Sequence, residues 1–256
     1  MLLPAGTLEA FGLYLVRTSA LVLSSPLFGS ASGFTGYKVG LIATVAFVLY
    51  SASGVPLHAS PGAVEFAVLC GREVLIGIFF GFILQSIVLA IRVAGYLIGH
   101  EMAFDMASVV DPATGISTPI ITRFYEALFY LGLLAVDGHH WMLRALGRSF
   151  ERAPVGAFDL GSGMVTLVKG QFAQMFAAGI TFAAPVLVLL MMVSVLIGLL
   201  ARVVPQMNVL EVGFTLRIMV ALLAMLVFAP LVAPAMDSLY AQMMEGLDAG
   251  LEALEV

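Results

Sequence analysis

The chain has 256 residues, 61% of them hydrophobic and 11% charged, with a mean hydropathy of +1.09. A soluble domain carries about 25% charged residues, so this chain has too little polar surface to cover a globule and belongs in a membrane or among apolar partners. A net charge of −5 argues against nucleic-acid binding, which needs clustered Lys and Arg, and a lone Cys70 excludes an internal disulfide.

The opening MLLPAGTLEAF lacks the basic start and small-residue cleavage site of a signal peptide and is read as retained. Leu8 to Phe28 is apolar, with Glu9 at its margin and Arg17 well inside. An arginine at that depth costs a few kcal/mol to insert and either faces protein or snorkels. We expect it to be satisfied inside protein by an acid or a ring of carbonyls. Gly29 to Lys38 is a small-residue linker without Walker spacing. Val39 to Val55 is uncharged but short of the ~20 residues a span needs. Ser51 to Pro61, with two prolines, reads as a loop. Val74 to Ile91 is a better span, entered through Arg72-Glu73. Gly77 and Gly81, and again Gly95 and Gly99, stand four apart, so each pair shares a helix face and lets another backbone come close. Such pairs also arise by chance in apolar helices.

Gly95 to Pro119 cannot be a span, because Glu101, Asp105 and Asp111 interrupt it and Asp111-Pro112 breaks a helix. In so apolar a chain, non-helical backbone is tolerated inside protein or along a watery cavity. Residues 102–119 are therefore either a constriction or an ordinary surface loop. Ala127 to Val136 is too short to cross a bilayer alone. Asp137 to Asp159 is the most polar stretch, and Arg144, Arg148 and Arg152 share one helical face, read as a solvated or headgroup-facing stripe. His139-His140 beside Trp141 invites a metal. Adjacent helical residues point apart and no third ligand is evident, so an interfacial anchor is the better reading.

Phe172 to Leu200 is uncharged for 29 residues, about 43 Å as a helix, and Pro185 is expected to kink it or to begin its inner half. A turn on Pro205 and a second apolar helix from Ile218 to about Met236 complete a long hairpin. Asp237 to Val256 holds five acids and no base, with Leu247, Leu251 and Leu254 at helical spacing, which predicts an amphipathic tail helix. If six spans are supposed, the Lys and Arg outside Arg17 divide five and five between the two sides. Charge therefore sets no orientation.

Three separated blocks resemble one family, the FliR-type component of the flagellar and type III secretion export gate. AGYLIGHEMAFDMASVVDPATG is similar to its run of small residues and methionines leading into Asp-Pro. DGHHWMLRALGRSFERAPVG resembles the next block, with His140, Leu143, Ser149-Phe150 and Pro154 in order. VVPQMNVLEVGFTLRI resembles the family's most recognisable motif: Pro205, Gln206, Met207 and Asn208, then Gly213-Phe214 and a basic residue. Arg17 and Ser25-Pro26 also fit. Thr215 stands where proline is usual, Arg217 replaces the commoner lysine, and Glu211 is charged where an apolar residue is usual.

The resemblance implies an all-α, membrane-associated protein of helical hairpins. It divides into a FliP-like part over residues 1–169 with a central plug loop at about 102–119, a FliQ-like hairpin over 170–236, and the acidic tail at 237–256. It implies a non-enzymatic part of a helical channel built with FliP and FliQ and working with FlhB and FlhA. The place is the bacterial inner membrane at the flagellar basal body, with lipid around it and unfolded export substrates passing through. Met102, Met106, Asp111, Pro112, Gly115, Ile116 and Pro119 would form the plug, the flexible methionines and Ile116 giving a soft seal. Arg17, Gly77, Gly81, Gly95 and Gly99 would serve helix packing and assembly. Pro205, Gln206, Met207, Asn208, Gly213 and Phe214 would shape the hairpin turn. No cofactor and no metal are implied.

A virulence-type (injectisome) homologue is the alternative within the family. A small multi-spanning transporter or an intramembrane enzyme is the alternative outside it. A transporter should pair acids with bases inside its spans, where Arg17 stands alone in this reading. An enzyme needs a nucleophile and a base, and neither Gly-x-Ser-x-Gly nor His-Glu-x-x-His occurs.

Overall fold

The computed structural model describes residues 6–29, 35–57, 61–103, 120–155, 162–204, 206 and 208–254. Every regular element among them is a helix, as the family resemblance implies. In chain order these are α1 (Thr7–Ser24), α2 (Thr35–Ser53), α3 (Ala63–Glu101), α4 (Ile120–Ala135), α5 (Gly138–Arg152), α6 (Ser162–Val203), α7 (Val209–Val227) and α8 (Ala229–Glu252).

The chain forms two compact units. The first gathers Met1–Ser86, Leu134–Phe172 and Gln242–Val256; the second gathers Ile87–Leu133 and Ala173–Ala241. In the first, α2 packs on α1, and the seam between α1 and the opening half of α3 is close. A Cβ on Gly77 would lie 2.5 Å from Ala20 Cβ and 2.8 Å from the Arg17 carbonyl oxygen, and one on Gly81 would overlap the Ser24 side chain. Leu13, Leu21, Ile76, Phe80, Ile83 and Leu146 are buried in this unit. The closing half of α8 contributes Met243, Leu247 and Leu251, and a Cβ on Gly250 would crowd Ile83 at 2.8 Å.

In the second unit the closing half of α3 meets α4, where a Cβ on Gly95 would come 2.5 Å from Thr122 Cα. Tyr125 and Phe129 of α4 are buried, Tyr125 edge-on to Phe182 of α6 at 5.2 Å. The Tyr240 hydroxyl of α8 donates to the Phe129 carbonyl at 3.0 Å, in the space left by Gly132.

Among the described residues, three helices are long and apolar enough to cross a membrane: α2 over Gly36–Ser53, α3 and α6 over Gly163–Val203. A bent pair, α7 with α8, qualifies as a broken span. Among the described residues that makes three or four, against the six supposed above for the charge count. The expected boundaries also shift. The 39 residues of α3 and 42 of α6 reach about 60 Å each, twice a hydrocarbon core of ~30 Å. Arg72-Glu73 is thus no entrance to a span but lies within α3, about two and a half turns past its start at Ala63. The helix expected from Ile218 to about Met236 is instead two, α7 ending at Val227 and α8 turning away by 68°. Pro230 sits in the first turn of α8, where a missing N–H costs no hydrogen bond. The acidic tail helix is therefore the closing half of α8. Pro185 lies inside α6 without ending it.

The seam between α1 and α3 generates a test. Gly81→Val should destabilise the detergent-purified chain by about 1–3 kcal/mol through overpacking. Gly40→Ala in α2, where a Cβ meets nothing within 4 Å, should be neutral or stabilising by up to about 1 kcal/mol. Thermal melting reads both, and equal melting of the two variants would contradict the close seam.

Candidate functional site: a buried arginine and the helices it ties

Arg17 lies halfway along α1, and its side chain is fully buried in the first unit. A guanidinium in that setting must be paired and must place its five N–H donors. Its Nε donates to Glu73 Oε2 of α3 at 2.5 Å, the carboxylate itself 1% exposed. Its Nη1 donates to the Ser149 carbonyl at 2.8 Å and reaches the Ser149 hydroxyl at 3.3 Å; its Nη2 donates to the Ala153 carbonyl at 2.9 Å.

Ser149 and Ala153 close α5. The closing carbonyls of a helix carry the negative end of its dipole and are short of amide donors; the Ser149 carbonyl takes the Ala153 N–H at 3.0 Å and has a second lone pair to offer. Arg17 therefore does two things with one planar group. It neutralises Glu73, and it caps the C-terminal end of α5. The guanidinium also lies 4.2 Å over the Phe150 ring, which stacks on Tyr14 at 4.0 Å with the planes 3° apart. Tyr14 in turn meets Tyr50 of α2 edge-on at 5.4 Å, and its hydroxyl reaches the Ser53 carbonyl at 3.4 Å. Four helices of the first unit, α1, α2, α3 and α5, thus converge on one side chain and its aromatic lid.

Sequence reasoning asked for an acid or carbonyls around Arg17, and the structure places both there. It missed which acid. In sequence, Glu73 reads as half of a boundary pair with Arg72; the expected absence of an acid–base pair inside the helices is corrected, because Arg17–Glu73 is such a pair. Its polar atoms are occupied by fixed carbonyls and by each other, which suits a structural tie.

The remaining singled-out residues fall as follows. Gly77, Gly81 and Gly95 sit at the close approaches described above, and Gly99 is buried in α3. Met102 is fully buried just past α3; Met106, Asp111, Pro112, Gly115, Ile116 and Pro119 lie outside the described residues. Gln206 is exposed in the turn between α6 and α7, while Pro205 and Met207 lie outside the described residues. Asn208 precedes α7 and donates from Nδ2 to Glu211 Oε2 at 3.2 Å, so Glu211 takes part in the turn. Gly213 is buried, 3.6 Å from Ile197 for an added Cβ, and Phe214 is half-buried. Arg144, Arg148 and Arg152 all face outward from α5, whose Met142, Leu146 and Phe150 are buried.

In the second unit, α6 exposes Val188, Met191, Met192, Val195 and Leu196 in a row. On α7, Leu222, Leu223, Leu226 and Val227 are exposed as well. These faces require lipid or another protein.

The tie makes a quantitative expectation. Glu73→Gln leaves a buried guanidinium without its counter-charge and should cost about 3–5 kcal/mol, whereas Arg17→Met with Glu73→Leu should recover most of that, since both charges leave together. Denaturation of the single and double variants checks it; additive losses would contradict coupling.

Comparison with known proteins places this architecture. Residues 8–243 match the family described as "Bacterial export proteins, family 1". The flagellar biosynthetic protein FliR of Escherichia coli (strain K12) is 31% identical over 229 residues, 89% of this chain and 87% of that one. Its namesake in Bacillus subtilis (strain 168) is 30% identical over 221 residues, 85% of each chain. The surface presentation of antigens protein SpaR of Shigella sonnei is 24% identical over 151 residues, 59% of this chain and 58% of that one. With a match that runs nearly end to end over helices this apolar, the chain belongs to the FliR family of bacterial export proteins.

Proposed function

We propose that the protein is a non-enzymatic structural subunit of the flagellar type III protein export gate. It forms a helical channel with FliP and FliQ, in contact with FlhB and FlhA, through which unfolded substrates leave the cell. Its place is the inner membrane at the flagellar basal body. The observation that carries this reading is the family match over residues 8–243, joined by flagellar relatives at about 30% identity across most of both chains. The flagellar relatives cover more of the chain, at higher identity, than the antigen-presentation relative does, which favours the flagellar branch over the injectisome branch.

The exposed apolar faces of α6 and α7 support a subunit that is completed by others. An α6 of about 60 Å with exposed valine, leucine and methionine side chains offers more apolar surface than one bilayer crossing needs. In this reading residues 102–119 close the pore, with Met102 at the entrance to the closure and Met106 and Ile116 in it.

Purification decides between a subunit and a self-contained transporter. The chain expressed with FliP and FliQ should form one monodisperse complex that melts higher than the chain alone. A lone chain that is equally monodisperse and equally stable would contradict the proposal. Replacing 111–118 with a short Gly-Ser linker should leave the complex intact and make the membrane leaky to ions and small solutes. Loss of the complex without a leak would make the stretch a clamp, and the closure reading would fail.

A further inference from the structure

The start of α5 carries a group of side chains that the export role does not use. Asp137, His139 and His140 fall within four consecutive residues, and one ligand atom from each lies within 4.8 Å of the others. The two imidazoles do not point apart as adjacent helical residues are expected to; their ring centroids are 4.1 Å apart, at 37°. Sequence reasoning stopped at two histidines because no third ligand was evident. The structure supplies it, through a backbone feature that the sequence does not announce.

Asp137 adopts a left-handed conformation, φ 57° and ψ 30°. An aspartate at the N-cap ordinarily turns its carboxylate onto the free amides of the first turn. Here it makes no such bond. The left-handed backbone aims the carboxylate instead toward His140, with Oδ1 3.5 Å from Nδ1. His139 Nδ1 is buried and has no hydrogen-bond partner. Three donor groups thus stand together, one carboxylate withheld from its usual cap and one imidazole nitrogen with nothing to bind.

We propose that Asp137, His139 and His140 form a binding site for a divalent cation of borderline softness, of which zinc is the probe. Two imidazole nitrogens and one carboxylate oxygen suit that class, and three protein ligands leave a further position open to water. Tetrahedral ligands around zinc stand about 3.3 Å apart at bond lengths of ~2.0 Å, so small side-chain rotations close the observed 4.8 Å. The positive end of the α5 dipole opposes a cation there, and the charge of Asp137 offsets it. Bound metal would pin the first turn of α5. This inference stands independently of the export role.

The test uses the full-length chain, purified in detergent with a histidine-free tag, stripped by chelator and titrated calorimetrically with zinc chloride alone. One saturable site per chain is expected. His139→Ala should weaken it by at least about tenfold, since losing even an outer-shell partner of a metal ligand costs 10–100-fold. Asp137→Asn should weaken it too, although it keeps an oxygen, because the charge is lost. On the unsubstituted chain, zinc should slow diethylpyrocarbonate modification of His139 and His140 relative to His58 and His100, a readout that no folding defect can mimic. Absence of saturable binding would overturn the proposal. So would affinity unchanged in a folded His139→Ala chain, or zinc protection at His58 or His100 instead.

Discussion

A charged group cannot be left unpaired inside an apolar protein, and the first unit is arranged around that constraint. Arg17 is fully buried, so its charge requires Glu73 and its remaining donors require acceptors with fixed directions. The closing carbonyls of α5 meet that need, and in doing so satisfy a helix end that would otherwise face apolar side chains. Neither half works alone. Glu73 would be a buried anion without Arg17, the Ala153 carbonyl would lose the Arg17 donor, and the Ser149 carbonyl would keep only the Ala153 amide. The glycines follow from the same seam, because α3 can bring Glu73 within reach of α1 only if Gly77 and Gly81 let the two backbones approach. The aromatic stack of Phe150 on Tyr14 then shields the charge from above.

Part of this was legible in the residues. A lone arginine in an apolar stretch announces a buried partner, and four-residue glycine spacing announces a close helix face. The identity of the partner was hidden for physical reasons. Glu73 follows Arg72, and adjacent opposite charges look like a solvated boundary; yet neighbours on a helix point about 100° apart, so one can face the interior while the other does not. Backbone carbonyls have no sequence signature at all, so the capping of α5 by Arg17 could not be read. The single helix expected from Ile218 to about Met236 divides before Pro230 because proline is at home in a first turn, and α8 begins there after the 68° bend. The third donor beside His139 and His140 depended on a left-handed aspartate, a conformation that non-glycine residues adopt rarely.

The second unit presents the opposite situation. It holds its own seams, Gly95 on Thr122 and Tyr240 on the Phe129 carbonyl, yet exposes rows of valine, leucine and methionine along α6 and α7. Composition alone foretold this excess of apolar surface. The chain thus combines an internally tied unit with apolar faces that lipid or another protein must cover.

The role assigned to Arg17 rests on the planar fork of its guanidinium and not on its charge alone. Lysine keeps the charge but presents a compact ammonium on a flexible stem, which cannot reach Glu73 and two helix-end carbonyls at once. Arg17→Lys, measured as chemical denaturation of the purified chain in detergent, is therefore the most direct test. A loss comparable to that caused by removing the charge altogether is expected. A variant as stable as the unsubstituted protein would show that a positive charge near Glu73 suffices, and that the capping of α5 by Arg17 holds nothing together.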